Sequence, residues 1–318
     1  MEMINFKGIG VPMTPFAFGT ALTVGVECND SSSVSRLIDT AWEQGIRVFD
    51  TSNNYGGGLT EAMLGVALDK YERSQYILKS KVGWRLDGDI FSGGLSRKHI
   101  RAQIDFSLSR LHTNFVDIYY AHRFDDQTPL EETVETFSSL VSQGKINYWG
   151  TSQWSAEQLY KTYELCEKRG YFPPVAEQFI FNPIICDVLE NGVYKMLSDR
   201  GSALFGFSPL CQGILSGKYR KGEVPPDSRI SKADFIGYDK TRLIMEQHQH
   251  VVAAYFRCCD QNDLNPAVTA LRWSLTKNVV PIIGASKPSQ MKIISDALCL
   301  GPLSSDTEEQ LDNIKKLS

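Results

Sequence analysis

The strongest constraint on this chain is a rhythm. Short runs rich in Val, Ile and Phe alternate with amphipathic stretches along almost its whole length. The runs predict strands over Phe16–Ala21, Ile46–Thr51, Tyr76–Ser80, Phe115–Ala121, Ile146–Thr151, Val175–Gln178, Ala203–Phe207 and Val279–Ile283. Between them, helical spacing predicts helices over Ser32–Gln44, Thr60–Lys70, Ser96–Leu111, Pro129–Gln143, Ser155–Arg169, Val188–Ser198, about Lys240 to Gln261, Pro266–Lys277 and Pro288–Ala297. The tail, Thr307–Leu317, reads as one more. A strand that must cross over a helix before the next strand forms a parallel sheet. Eight such alternations in 318 residues fit an α/β fold, the (β/α)₈ TIM barrel, as a single domain over residues 1–318. The competing doubly wound sheet would carry GxGxxG after its first strand, and no such sequence occurs.

Local chemistry punctuates the pattern. Gly45, Gly144, Gly170 and Gly201 each stand where a helix should stop before a strand. Pro129 suits a first helical turn, with Thr128 as the expected N-cap and Glu131 and Glu132 favoured by the helix dipole.

Composition removes several classes. A net charge of -4 gives no basic field for nucleic acid. No apolar run approaches the ~18 residues of a membrane span, so no membrane insertion is expected. The opening MEMINFKGIGVP lacks the apolar core of a signal peptide. Seven scattered cysteines without CxxC point to a reduced, cytoplasmic protein and to no zinc site. His248 and His250, two apart on a helical stretch, do not share a face and make no metal pair.

In a barrel of this kind the reacting groups gather where strands run out into loops. Reading only those ends gives Asp50 and Tyr55 after the second run, Lys81 after the third, His122 and Arg123 after the fourth, and Ser152 after the fifth. Gln178 ends the sixth, Ser208 and Pro209 the seventh, and Gly284, Ser286 and Lys287 follow the eighth. Each has an ordinary explanation by itself: a strand-end carboxylate caps a helix, a loop tyrosine packs, a lysine is solvated. Together they make a chemical set. A tyrosine hydroxyl, with a pKa of about 10, is a poor acid at neutral pH. A lysine held charged by an aspartate stabilises the phenolate and so lowers that pKa. A histidine can orient a carbonyl. Such a group suits a carbonyl that receives hydride and then needs a proton. Lys79 is a rival for the lysine.

"FDTSNNYGGGLTEAMLG" resembles the signature of the aldo-keto reductase superfamily around its catalytic Asp and Tyr. "GLSRKHI", "DQTPLEETV", "YWGTSQWS", "FSPLCQGILSGKY", "PPDSR" and "GASKPSQ" follow in the family's order over nearly the whole chain. They are similar to the branch of potassium-channel β subunits and bacterial glyceraldehyde-phosphate or methylglyoxal reductases. The resemblance implies a barrel that binds NADPH (NADP+) without a Rossmann fold, with Asp50, Tyr55, Lys81 and His122 as the catalytic set. The place of Lys81 in "SK" favours it over Lys79. Channel subunits of that branch carry asparagine where His122 stands.

By the same resemblance the cofactor-binding residues are Thr20, Ala21, Asp50, Ser152, Gln178, Phe207, Ser208, Leu210, Gln212, Lys218, Arg229, Gly284, Ser286, Lys287 and Gln290. Ser152 and Gln178 would grip the nicotinamide carboxamide, and Lys287 would meet a 2′-phosphate. Ile293 and Ile294 stand where relatives have polar groups near adenine. Trp84 is the candidate for the substrate pocket. The implied activity is NADPH-dependent reduction of an aldehyde or ketone, with a cofactor-binding regulatory subunit and a keto-sugar reductase as alternatives. The expected partners are a small carbonyl substrate and, from the resemblance, further copies in a homo-oligomer.

Overall fold

A computed structural model of the chain describes residues 3–86, 93–220, 222, 224–226, 228, 231 and 239–314. Its strands are β1 (Ala17–Gly19), β2 (Val48–Asp50), β3 (Ile77–Val82), β4 (Val116–Ala121), β5 (Ile146–Ser152), β6 (Ala176–Ile180), β7 (Ala203–Phe207) and β8 (Val280–Ile283). They follow one another in chain order around a closed barrel, and β8 returns to β1 through Ala17 opposite Ile282. The paired strands run parallel, with Gly19 opposite Asp50, Asp50 opposite Lys79 and Lys81 opposite Tyr120.

The chain clusters into two compact units. The first comprises Met1–Phe179, Val188–Phe205 and Ile282–Met291, and the second Ile180–Asp187, Gly206–Pro281 and Lys292–Ser318. In the first unit, β3 is buried at every residue, as a strand covered on both faces should be. Its helices begin as their sequences dictate. Ser96 accepts from the His99 N–H, and Ser155 forms a reciprocal capping box with Gln158. In the second unit, Asn265 caps the helix Pro266–Thr276, whose Trp273 stacks on Phe181 at 4.9 Å between ring centroids.

The structure corrects some boundaries. Pro129, not Thr128, precedes the helix Leu130–Ser142, because the Thr128 hydroxyl donates to Asp125 instead. The long helix expected over 240–261 is two, Asp239–Gln247 and Gln249–Gln261, parted at His248. The stretch Val188–Ser198 likewise divides into a short 3₁₀ turn, Asp187–Leu189, and the helix Val193–Asp199, with left-handed Gly192 before the latter. The stretch Pro288–Ala297 divides into the 3₁₀ turn Pro288–Met291 and the helix Lys292–Cys299. The four expected helix-ending glycines all take positive φ. Among the described residues no helix is long and apolar enough to cross a membrane, and no three His, Cys, Asp or Glu side chains are grouped to hold a metal ion.

Candidate active site

Asp50 is the last residue of β2 and is almost wholly buried. Lys81 lies inside β3, not after it as expected, because β3 extends through Val82. Asp50 and Lys81 face one another across adjacent strands. Lys81 Nζ donates to Asp50 Oδ2 at 2.7 Å, to the Thr51 carbonyl at 2.6 Å and to the Tyr55 hydroxyl at 3.4 Å. An ammonium has three N–H donors, and these three acceptors take them.

Tyr55 arrives by a different route. It opens the 3₁₀ turn Tyr55–Gly58, in which Gly56, Gly57 and Gly58 have φ of 55°, 63° and 96°. Side chains disfavour that region, so three successive glycines let the backbone curl from Tyr55 into the helix Leu59–Leu68. Gly58 also lacks room: a Cβ there would lie 3.0 Å from Arg110 Nε. That guanidinium is held at 2.8 Å by buried Glu61, which in turn accepts from Ser80 on β3.

His122 follows β4 directly and is buried against the same group. Its ring meets Tyr55 edge-on at 5.9 Å and Trp84 at 6.0 Å. Its Nδ1 lies 3.2 Å from the Ser52 hydroxyl. Arg123 donates to the His122 carbonyl at 2.6 Å and to Ser152 Oγ at 3.1 Å, and its guanidinium sits 5.7 Å from the Trp84 ring. Trp84 is 45% exposed. Asp50, Tyr55, Lys81, His122, Ser152 and Trp84 are thus drawn together through direct contacts or through Arg123.

The electrostatics follow from burial and pairing. Burial would raise the Asp50 pKa, but Lys81 and Lys79 outweigh it and hold the carboxyl below its ordinary range. Burial would lower Lys81, but Asp50 and Tyr55 keep its pKa above the usual lysine value. Tyr55 runs against the expectation. Burial raises it and Asp50 adds to the rise, so its pKa stays above 10 although Lys81 pulls it down. Burial, Lys81 and Arg123 push His122 well below 6.5, so the imidazole is neutral at pH 7.

The other expected residues fall into groups. Thr20, just beyond β1, is fully buried, and both its N–H and its hydroxyl donate to the Asp50 carbonyl at 3.0 Å. Ala21 is next to it and half-buried. Ser152 ends β5, and Gln178 lies within β6 rather than at its end. Gln178 Oε1 accepts from Lys79 at 3.4 Å. After β8, the Gln290 side-chain oxygen accepts from the backbone N–H groups of Ser286 at 2.8 Å and Lys287 at 3.1 Å. Gly284 opens that loop and is exposed.

In the second unit, Phe207 closes β7, and Ser208 and Gln212 both have positive φ, 54° and 55°. Gln212 donates to Ser208 Oγ at 3.0 Å, and Asn182 donates to the Ser208 carbonyl at 3.1 Å. Leu210 lies between them, half-buried. The exposed Lys218 brings its ammonium close to Gly213, where a Cβ would lie 3.0 Å away. Ile294 is fully buried in the helix Lys292–Cys299, so it serves the core. Arg229 lies outside the described residues.

Sequence reading missed Ser52 and Glu61. Ser52 lies inside the quoted signature, two residues beyond Asp50, where its polarity was the available signal. Glu61 stands in the first turn of its helix, where an acid is ordinary and signals nothing further.

The aldo/keto reductase family model matches residues 15–316, and the chain belongs to that family. It is 34% identical over 295 residues to a putative voltage-gated potassium channel subunit beta of Schizosaccharomyces pombe, covering 89% of this chain and 83% of that one. It is 30% identical over 319 residues to a probable voltage-gated potassium channel subunit beta of Arabidopsis thaliana, covering 98% and 96%. A crystal structure of a thermostable aldo-keto reductase in complex with the inhibitor epalrestat superposes with a TM-score of 0.75 at 24% identity, over 99% of this chain and all of the other, and supports the barrel fold. Membership supports carbonyl reduction as the general chemistry, with a nicotinamide nucleotide as the family's usual cofactor.

Proposed function

We propose that this chain is an NADPH-dependent carbonyl reductase, with residues 1–318 acting as one barrel domain. One observation carries the reading: a single buried ammonium, Lys81, touches both Asp50 and the Tyr55 hydroxyl. That is the arrangement a general acid needs if its conjugate base must be stabilised out of water.

The residues present fit the cofactor. Two consecutive N–H groups, of Ser286 and Lys287, converge on one oxygen of Gln290. Such a pair suits a phosphate oxygen equally well. Lys287 beside it adds a positive charge that favours a 2′-phosphate. Gln178 is held by its oxygen, which leaves its NH₂ to donate to a carboxamide carbonyl. When bound, NADPH supplies the hydride. Ser152 and Gln178 would hold its nicotinamide carboxamide. Thr20, Ala21, Gly284 and Gln290 are assigned to cofactor binding on the family resemblance, as are Phe207, Ser208, Leu210, Gln212, Lys218 and Arg229.

The proton comes from Tyr55. As negative charge grows on the substrate oxygen, Tyr55 releases its proton to it, and the Lys81 N–H already aimed at the phenol oxygen stabilises the phenolate. Asp50 keeps Lys81 charged. Neutral His122 orients the carbonyl by donating at Nε2, which requires Nδ1 to accept the Ser52 proton. A half-turn of the Asn54 amide allows this: its NH₂ then donates to Ser52 Oγ, 2.6 Å away, and frees the Ser52 proton. Trp84 and Arg123 border the substrate.

Steady-state NADPH consumption with short aldehydes tests the reading. Tyr55→Phe should abolish turnover while cofactor binding, followed by fluorescence, persists. A Tyr55→Phe protein with full turnover overturns it. The names of the two sequence relatives favour a second reading, a cofactor-binding channel subunit. Wild-type protein that binds NADPH but reduces none of the carbonyls would support that one.

A further inference from the structure

β3 carries a second buried lysine. Lys79 and Lys81 are two apart, so they project to the same side of the strand, and both are fully buried. One carboxylate serves both. Lys81 binds Asp50 Oδ2 at 2.7 Å, and Lys79 lies 3.2 Å from Oδ1. Asp50 can neutralise only one of them. A buried ammonium is costly unless paired, and a neutral side chain at 79 would fill β3 without that cost. The fold alone therefore gives no reason for a lysine there.

Its surroundings suggest one. Asp50 approaches from β2, Lys81 from β3, the Tyr120 ring from β4 at 5.0 Å, Gln178 Oε1 from β6 at 3.4 Å and the Phe205 ring from β7 at 3.3 Å. Of these, Asp50 and Lys81 carry charge, since burial keeps the Tyr120 hydroxyl protonated far above pH 10. We propose that Lys79 is a positioning residue: it stands at ion-pair distance from the Asp50 oxygen that Lys81 leaves, and it holds Gln178 by its oxygen. One side chain thus ties the Tyr55 proton path to the amide assigned to the nicotinamide. The inference rests on the reductase reading above.

Its charge changes near neutrality. Burial pushes Lys79 down to about 7, with Lys81 adding to the fall and Asp50 opposing it. Below pH 7, Lys79 is charged and engages Asp50. The field of Lys81 then acts more fully on Tyr55, which becomes a stronger acid. Above pH 7, Asp50 is left to Lys81 alone, and Tyr55 becomes a weaker acid.

The test is the pH profile of carbonyl reduction, together with NADPH affinity. Wild-type kcat should fall about three- to tenfold between pH 6 and 8.5, as expected for one charge acting across the site. Lys79→Met should hold the lower level without an inflection near 7 and should bind NADPH several-fold more weakly, read by fluorescence. Lys79→Thr repeats the measurement if the Met variant does not fold. A flat wild-type profile overturns the inference by itself. So does a folded variant that keeps both the wild-type inflection and the wild-type affinity. If Tyr55→Phe is inactive while Lys79→Met behaves as wild type, this inference alone fails. If Tyr55→Phe retains full turnover, the reductase reading fails first.

Discussion

The Ser52 hydroxyl lies 3.2 Å from Nδ1 of His122 and joins the loop after β2 to the end of β4. If His122 donates to a carbonyl from Nε2, Ser52 decides which ring nitrogen carries the proton. Ser52→Ala should lower kcat/KM about three- to tenfold, the worth of one hydrogen bond, and leave NADPH affinity unchanged. Steady-state kinetics with a fluorescence titration checks both numbers.

His122 also makes stability depend on pH. In the folded chain its pKa is well below 6.5, so it stays neutral where the unfolded chain takes up a proton. Folding stability should therefore fall as pH drops below about 6.5, by at most about 1.4 kcal/mol per pH unit from this group. Urea unfolding at pH 7.5 and 5.5 should show a smaller loss for His122→Gln than for wild type. Equal losses would assign the effect elsewhere.

Gly58 has two reasons to be glycine, its φ of 96° and the Arg110 side chain against it. Gly58→Ala should cost about 1–3 kcal/mol of stability and lower turnover by displacing Tyr55. Gly57 has nothing within 4 Å of a Cβ, so Gly57→Ala should show the backbone strain without the clash and cost less. Thermal or urea unfolding of both variants separates the two effects.

The loop after β8 should distinguish the two nicotinamide nucleotides. Lys287→Ala should weaken NADPH binding about tenfold, as loss of one phosphate-directed charge would, with NADH binding unchanged. Parallel titrations with NADPH and NADH decide it. An equal loss for both would place Lys287 away from the 2′-phosphate.

The barrel was legible because its signal is periodic: apolar runs of strand length separated by helical spacing. The catalytic candidates were legible because strand ends in such a barrel are few. The breaks at His248 and Gly192 were harder to see, since amphipathic spacing continues across them. The extension of β3 past Ser80 escaped because a second lysine within three residues reads as the end of an apolar run. The net rise of the Tyr55 pKa was also invisible. Sequence shows the charges near a group, but the cost of burying it depends on neighbours brought in by other strands. Ser52 illustrates the same limit, because its partner is 70 residues away.

The glycine turn has a consequence for how such a site can change over generations. One bank of the mouth, at positions 56 to 58, is closed to most substitutions by its backbone. Another bank is formed by Trp84, which is 45% exposed, and by Arg123. Selection for a new substrate can act on that bank while Tyr55, the proposed proton donor, stays where the glycines hold it. Diversity among descendants of this chain should therefore accumulate on one side of the opening and leave the other almost unwritten.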